Sequence, residues 1–447
     1  MIWEIVFTLG SLLGVFLASV FLVYLAGLIR VHRRPLTYLP GDPGQFGWHL
    51  AVPCRDEEAV IGRTVSDLRE LFPHAHLWVI DDASEDATAA IVQNLTRGDE
   101  RLHLVSRRLP DARTGKGDAL NAAVDAITAF AGGDPDLEIV GVVDADGRLA
   151  PDALAVCAGP ELFGDLAVGA VQVEVRMINR HDPAPRPGAG RFRNLLSRIL
   201  IRMQDLEFRG PIAAQQARRR EVGTVAMGGN GQFTRLSALH DLQARLGRIW
   251  GGSLVEDFEL GAFLLLAGWE TEFTRDTYVE QEALWSMRRW MAQRTRWTQG
   301  TMQCLKLMPS VWASPRFADR GVLEISYFLL QPWLNVIGSL VFIPLPIIYT
   351  VLAVTGVIDA PLILILMPFL YVLLSFAQHW VWGIFYQRDE KAGVWRTAGW
   401  SLVFIGYIHL VIITSWKALI RMIRGQGGWA KTRRNSETLT GPVAKEE

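Results

Sequence analysis

The stretch HLAVPCRDEEAVIGRTVSDLRELFPHAHLWVIDDASED (49–86) decides the fold. His49–Cys54 is a short, largely apolar run of strand length, and Leu77–Ile80 is a second. Between them Ile61, Val65, Leu68 and Phe72 recur at helical spacing and so share one face of a helix. Two further strand-length runs follow at His103–Val105 and Ile139–Val143. The helix between these starts near Lys116 and repeats apolar residues at Leu120, Val124 and Ile127. Strand, helix, strand, helix with short links predicts an α/β domain, a Rossmann-like and mostly parallel sheet with flanking helices. Ligands of such sheets bind beyond the carboxyl ends of the strands, so the polar residues just after each strand carry the chemistry.

The second strand ends in Asp81-Asp82-Ala83-Ser84-Glu85-Asp86. A carboxylate there can accept the N–H of a base or the hydroxyls of a ribose, and Asp82, nearest the strand end, reads as such a group. Ser84 and Asp86 also suit capping of the helix that follows, and Asp86 reads as a cap. The fourth strand ends in Asp144-Ala145-Asp146. Two carboxylates one residue apart make a hard-oxygen site for Mg²⁺ or Mn²⁺, which take one or two carboxylates and fill the rest with phosphate and water.

Further on, Glu256-Asp257 follows Trp250-Gly251-Gly252-Ser253 and opens the apolar helical run Phe258–Leu266. Asp257 complements the helix dipole or faces the crevice as a base; the motif by itself leaves both open. Gln293, Arg296 and Trp297 stand at i, i+3 and i+4, one helix face. Around them, Trp285–Met308 mixes Arg288, Arg289, Arg294 and Lys306 with Trp285, Trp290, Met291 and Met302, a pattern that suits a helix lying in a membrane interface.

At 447 residues the chain exceeds what one soluble core usually holds. Half of it is apolar and only a fifth charged, which suits a soluble domain joined to a membrane part. A net charge of −1 gives no case for nucleic acid. Cys54, Cys157 and Cys304 are scattered and form no CxxC, so neither a disulfide framework nor a zinc site is expected, and the soluble part belongs in a reducing compartment.

The expected organisation follows from where the apolar residues lie. Residues 1–34 form an amino-terminal transmembrane anchor: Ile5–Leu28 is uncharged and is followed by Arg30, His32, Arg33 and Arg34, which places the chain beyond it in the cytoplasm. Residues 46–284 form the catalytic domain and 285–312 the interfacial helix. Residues 322–417 hold about three transmembrane segments, near 325–354, 361–386 and 397–416, and 418–447 form a basic tail. Pro332, Pro344 and Pro346 interrupt the first of these segments. Three crossings would leave the tail outside, whereas its positive charges place it inside, so the side of the tail stays open.

Taken in order, VPCRDEE (52–58), DDASED (81–86), GKGDALN (115–121), DAD (144–146), GGNGQF (228–233), VED (255–257), QRTRW (293–297) and WAKTRR (429–434) resemble the family 2 glycosyltransferases of GT-A fold. The similarity is to the membrane branch that holds cellulose, hyaluronan, chitin and poly-N-acetylglucosamine synthases. It implies an inverting transferase in the cell (inner or plasma) membrane, multi-pass, with a cytoplasmic catalytic domain. Its donor would be a UDP-sugar, UDP-glucose or UDP-N-acetylglucosamine, and its metal Mg²⁺ or Mn²⁺. The acceptor implied is a growing β-linked polysaccharide, with accessory export subunits as partners; the alternative is single transfer to a lipid, diacylglycerol or polyprenyl phosphate. The resemblance gives Asp82 the uracil, with Glu57 and Lys116 lining the nucleotide pocket. Asp144 falls in the nucleotide or metal region, Asp146 is the metal ligand and Asp257 the general base. Gln293, Arg296 and Trp297 are similar to the motif that holds the diphosphate and the acceptor end. Gly228, Gly229 and Asn230 resemble the loop beside the acceptor sugar, and Glu256 joins that acceptor side. The chain reads VED where many members have TED, so a threonine hydroxyl is missing at Val255.

Overall fold

The four strand-length apolar runs between residues 49 and 143 fall in strands of one eight-stranded sheet in the computed structural model of the chain, which describes residues 2–34, 37–342, 344–357, 379–388, 390–391, 393–427 and 435. Helix α1 (Ile2–His32) leads to β1 (Gly47–Cys54), α2 (Ile61–Leu71), β2 (His76–Asp82), α3 (Thr88–Leu95), β3 (Leu102–Arg107), α4 (Lys116–Phe130) and β4 (Glu138–Val142). These strands pair in parallel in the order β3-β2-β1-β4. Alternate side chains of a strand point to opposite faces. Leu50, Val52 and Val79 therefore meet Ile61, Val65 and Leu68 of α2 in one core. Ala51, Ile80 and Val140 meet Leu120, Val124 and Ile127 of α4 in the other.

The second half makes the sheet mixed. It holds β5 (Arg148–Leu149), α5 (Ala153–Cys157), β6 (Val168–Met177), α6 (Arg191–Glu207), α7 (Ala213–Glu221), β7 (Gln232–Arg235), α8 (Leu236–Leu246), α9 (Glu256–Ala267) and β8 (Glu270–Gln281). Strand β7 runs antiparallel to both β4 and β6. It does so because the chain enters it from the Gly228–Gly231 loop, at the end where β4 finishes, and must run back along the sheet. Strand β8 is parallel to β6 and pairs antiparallel with β5. The parallel half thus extends as expected, and the antiparallel insertion of β7 is what the strand-by-strand reading lacked.

Beyond the sheet lie α10 (Met287–Gln303), α11 (Met308–Ala313), α12 (Asp319–Phe342), α13 (Pro344–Val354) and α14 (Val394–Ile423). Pro332 stays inside α12, while Pro344 opens α13, where a missing N–H has no helical partner to lose. Helix α10 packs against α12 and α14. Its Trp290 is fully buried and donates to the Tyr407 hydroxyl of α14 at 2.9 Å. Arg294 forks onto both oxygens of Glu207 at 3.0 and 2.7 Å, and the Tyr407 hydroxyl donates to the same carboxylate.

Among the described residues one helix, Trp395–Ile423, is long and apolar enough to cross a membrane. Helix α1 is 31 residues long and exposes Leu9, Leu12, Phe16 and Val23. Most of the expected 361–386 segment, and all of WAKTRR (429–434), lie outside the described residues.

Candidate active site

Five loops meet toward the carboxyl end of the parallel strands. The first two are tied to each other. Asp56 and Glu58 of the 53–58 turn exchange hydrogen bonds with Ser84, Glu85, Asp86 and Ala87, and the Glu57 amide donates to Thr88 Oγ1 at 2.7 Å. Asp86 accepts the Thr88 amide at 2.9 Å from one residue ahead of Ala87, which holds the N-cap position expected for Asp86. Asp82 is buried beside them. Its Oδ1 accepts the Arg113 amide at 3.0 Å and pairs with the Arg107 guanidinium. Arg113 in turn donates to the Ala83 carbonyl at 2.7 Å and pairs with Glu85. Both Ala83 (φ 57°) and Arg113 (φ 65°) hold left-handed backbone without being glycine, a local strain that the surrounding bonds sustain.

The carboxylates of the DAD motif face different neighbours. Asp144 accepts from Lys116 Nζ at 2.6 Å, and its amide donates to Asn230 Oδ1 at 3.1 Å. Asp146 Oδ2 accepts the Glu282 amide at 3.1 Å, just past β8. No group of three or more His, Cys, Asp or Glu side chains among the described residues is arranged as a metal cage. A pair of hard carboxylates does fit a Mg²⁺ or Mn²⁺ whose remaining ligands are diphosphate and water.

The glycine loop closes over this end. Gln172, in the middle of β6, accepts the Gly228 amide at 2.8 Å and donates to the carbonyls of Asn230 and Gly231. Gly229 has φ 81°, and a Cβ there would lie 2.8 Å from Asp257 Oδ2 and 3.4 Å from Lys116 Nζ. Asp257 and Lys116 thus both reach the glycine loop, and the missing Cβ at Gly229 is what lets them approach.

The VED turn and α10 interlock. Gly300 lets α10 lie against Leu254 and Val255, where a Cβ would come within 3 Å of backbone. Gln303 accepts the Leu254 amide, and Arg296 Nη1 donates to the Leu254 carbonyl at 3.2 Å. Arg296 Nε is buried with no hydrogen-bond partner among the described residues. Gln293 is half-buried on the same helix, while the Trp297 ring sits over Arg294 and edge-on to Phe208.

Burial sets the charge of this site. It raises the carboxyl of Glu256 to about 7, helped by the negative charge of Asp257 and opposed by Lys116 and Arg296. Asp257 is raised for the same first reason, with Lys116 and Arg296 pulling it down. Burial alone would lower Lys116, yet Asp144, Glu256 and Asp257 together raise it, so it stays a cation. Three carboxyls, Asp144, Glu256 and Asp257, and two cations, Lys116 and Arg296, thus act on one another at one end of the sheet, a setting for moving a proton next to a site where negative charge builds up.

The glycosyltransferase-like family 2 model matches residues 46–300, over half of the chain and all five of these loops. The chain is a family 2 glycosyltransferase. This glycosyltransferase is 29% identical over 296 residues to the beta-monoglucosyldiacylglycerol synthase of Trichormus variabilis, a match covering 64% of this chain and 57% of that protein. It is 30% identical over 258 residues to the Synechocystis protein of the same name, covering 57% of this chain and 47% of that one. An N-acetylglucosaminyltransferase of Rhizobium leguminosarum bv. viciae is 25% identical, with 57% of this chain and 55% of that protein covered. The chain thus spans about half the length of these curated relatives. Its fold matches that of the mannosyltransferase PcManGT from Pyrobaculum calidifontis, solved with GDP-Man and Mn²⁺, at a TM-score of 0.60 and 19% identity over 94% of this chain and 99% of that one.

Several residues of this transferase's site carried no readable signal. Arg107 and Arg113, which engage Asp82, and Gln172, which holds the glycine loop, stand in no motif. Asn121, whose side chain binds the backbone of Trp250 from both sides, does lie in GKGDALN, yet only the fold gives it that partner. Arg294 read as one more interfacial cation and is instead a buried ion pair.

Proposed function

We propose that this glycosyltransferase moves one sugar from a UDP-sugar to the hydroxyl of a membrane lipid such as diacylglycerol, with inversion at the anomeric carbon. The carrying observation is the buried Asp257 carboxyl, whose Oδ2 lies against Gly229 near Lys116 Nζ and whose proton affinity is raised by burial and opposed by the charges of Lys116 and Arg296. The acceptor oxygen attacks the anomeric carbon from the face opposite the diphosphate. The bond to UDP breaks with its electron pair, and the acceptor proton passes to Asp257. A positioned base of this kind contributes roughly 10²–10⁴ in rate.

Arg296 and Lys116 supply positive charge where the departing diphosphate gains negative charge. Mg²⁺ or Mn²⁺ held by Asp146, with Asp144 beside it, would neutralise the diphosphate further. Asp82, oriented by Arg107 and the Arg113 amide, meets the base of the nucleotide, with Glu57 at the edge of that pocket. Asn230, Gly229, Glu256, Gln293 and Trp297 line the acceptor side.

The lipid acceptor is supported by the glucosyldiacylglycerol synthases among the relatives and by the candidate span Trp395–Ile423. A polysaccharide product is the second reading, favoured by QRTRW and by the N-acetylglucosaminyltransferase relative. Incubating detergent-purified protein with UDP-glucose or UDP-N-acetylglucosamine and diacylglycerol vesicles separates them. One sugar on lipid supports the proposal; a ladder or high polymer overturns it.

A further inference from the structure

Helix α6 is half covered. Its carboxyl half sends Met203 and Leu206 into the cluster built with Phe404 and Tyr407 of α14. The same stripe continues toward the amino end as Phe192, Leu195 and Leu196, at i, i+3 and i+4, but there it is uncovered: Phe192 is 70% and Leu196 50% exposed. Arg191, Arg193 and Arg198 are exposed on either side of it.

The charge of this region is one-sided. From Arg180 to Arg202 the chain carries six arginines and one acidic residue, Asp182, in a protein whose net charge is −1. Asn194 binds the backbone of Arg186 and Ala189, which fixes the loop before α6 against the helix. An apolar stripe flanked by arginines, collinear with a face already packed on the candidate membrane span, has the make-up of a helix lying on a bilayer surface.

We propose that the amino-terminal half of α6 docks on anionic phospholipid: Phe192, Leu195 and Leu196 enter the acyl boundary, and Arg191, Arg193 and Arg198 engage headgroup phosphates. The inference rests on the reading of this chain as membrane-bound, and adds a requirement for lipid charge that neither the fold nor a lipid acceptor demands. Near an anionic leaflet each arginine strengthens docking by roughly fivefold, and salt weakens it.

The test uses the full chain in vesicles. The native cysteines Cys54, Cys157 and Cys304 are buried, so Phe192→Cys can be labelled selectively with an environment-sensitive fluorophore. In vesicles containing phosphatidylglycerol the label should be quenched by lipids brominated on their chains. Quenching should fall severalfold in purely zwitterionic vesicles, at high salt, or when Arg191, Arg193 and Arg198 are all changed to Gln. Equal quenching in both lipid compositions, or no loss in the triple variant, overturns the proposal. Titrating each preparation with UDP reports the donor site independently: intact nucleotide binding with no charge-dependent quenching sinks the docking site alone, whereas lost UDP binding in the unsubstituted protein sinks the functional reading.

Discussion

The side chain of Gln172 donates to the carbonyl of Asn230 at 2.9 Å while accepting the amide of Gly228 at 2.8 Å, so one buried residue holds both sides of the Gly228–Gly231 loop. Replacing it with Leu leaves an amide and carbonyls without partners, at a cost of about 1–3 kcal/mol for each group that stays buried. Q172L is therefore expected to lower the melting temperature and to raise KM for the acceptor more than for the donor. Unchanged acceptor kinetics in a folded variant would remove the loop from acceptor binding.

Lys116 opposes burial in setting the charge of Asp257, the proposed base. Because burial holds Asp257 above its ordinary value, and only the ionised form accepts a proton, activity should disappear as pH falls through that raised value, above the usual aspartate range of about 3.9. Lys116 pulls both Asp257 and Glu256 down. Lys116→Met should thus move the acid limb of the pH–rate profile to higher pH. A limb that stays in place argues that Asp257 is not the titrating base.

Asp257→Asn keeps the size of the side chain and removes its basicity. UDP release with acceptor present is expected to fall by roughly 10²–10⁴ while binding of the UDP-sugar is retained. A rate within a few fold of the unchanged protein would sink the base assignment.

Chelation with EDTA should stop transfer and added Mn²⁺ or Mg²⁺ restore it. Asp146→Ala should lose on the order of 10²-fold in rate, the scale of several kcal/mol of charge stabilisation. Full activity in EDTA, with Asp146→Ala equally active, would contradict the metal role of the pair.

The Arg294–Glu207 pair is buried and forked, with Tyr407 as a third member. Removing one partner of such a pair strands a charge and costs about 3–5 kcal/mol, whereas apolar replacement of both is far milder. Arg294→Met and Glu207→Leu should each lower thermal stability sharply, and the double variant should recover most of the loss. Additive losses in this cycle would mean that the two side chains do not act as a unit.

The parallel half of the sheet was legible because β1, β2 and β4 are buried on both faces and read as largely apolar runs, while its helices repeat at 3.6 residues. Asp82, Asp144 and Asp146 were legible for a related reason: topology puts any residue directly after such a strand at the ligand end. Strand β7 left no comparable trace. It has four residues, Gln232–Arg235, and takes its place from pairing with β4 and β6.

What the sequence by itself determined is the family, the α/β sheet and the order of the acidic loops, since these depend on local periodicity and on motifs read along one chain. Tertiary structure alone decided how those loops meet. Lys116 stands against Asp144 across 28 positions of sequence, and a Cβ on Gly229 would nearly touch Asp257. Arg294 lies buried on Glu207 where composition placed it at an interface. The reason is physical: the burial and charge that set a carboxyl's proton affinity come from residues distant in the chain, and periodicity carries no record of them.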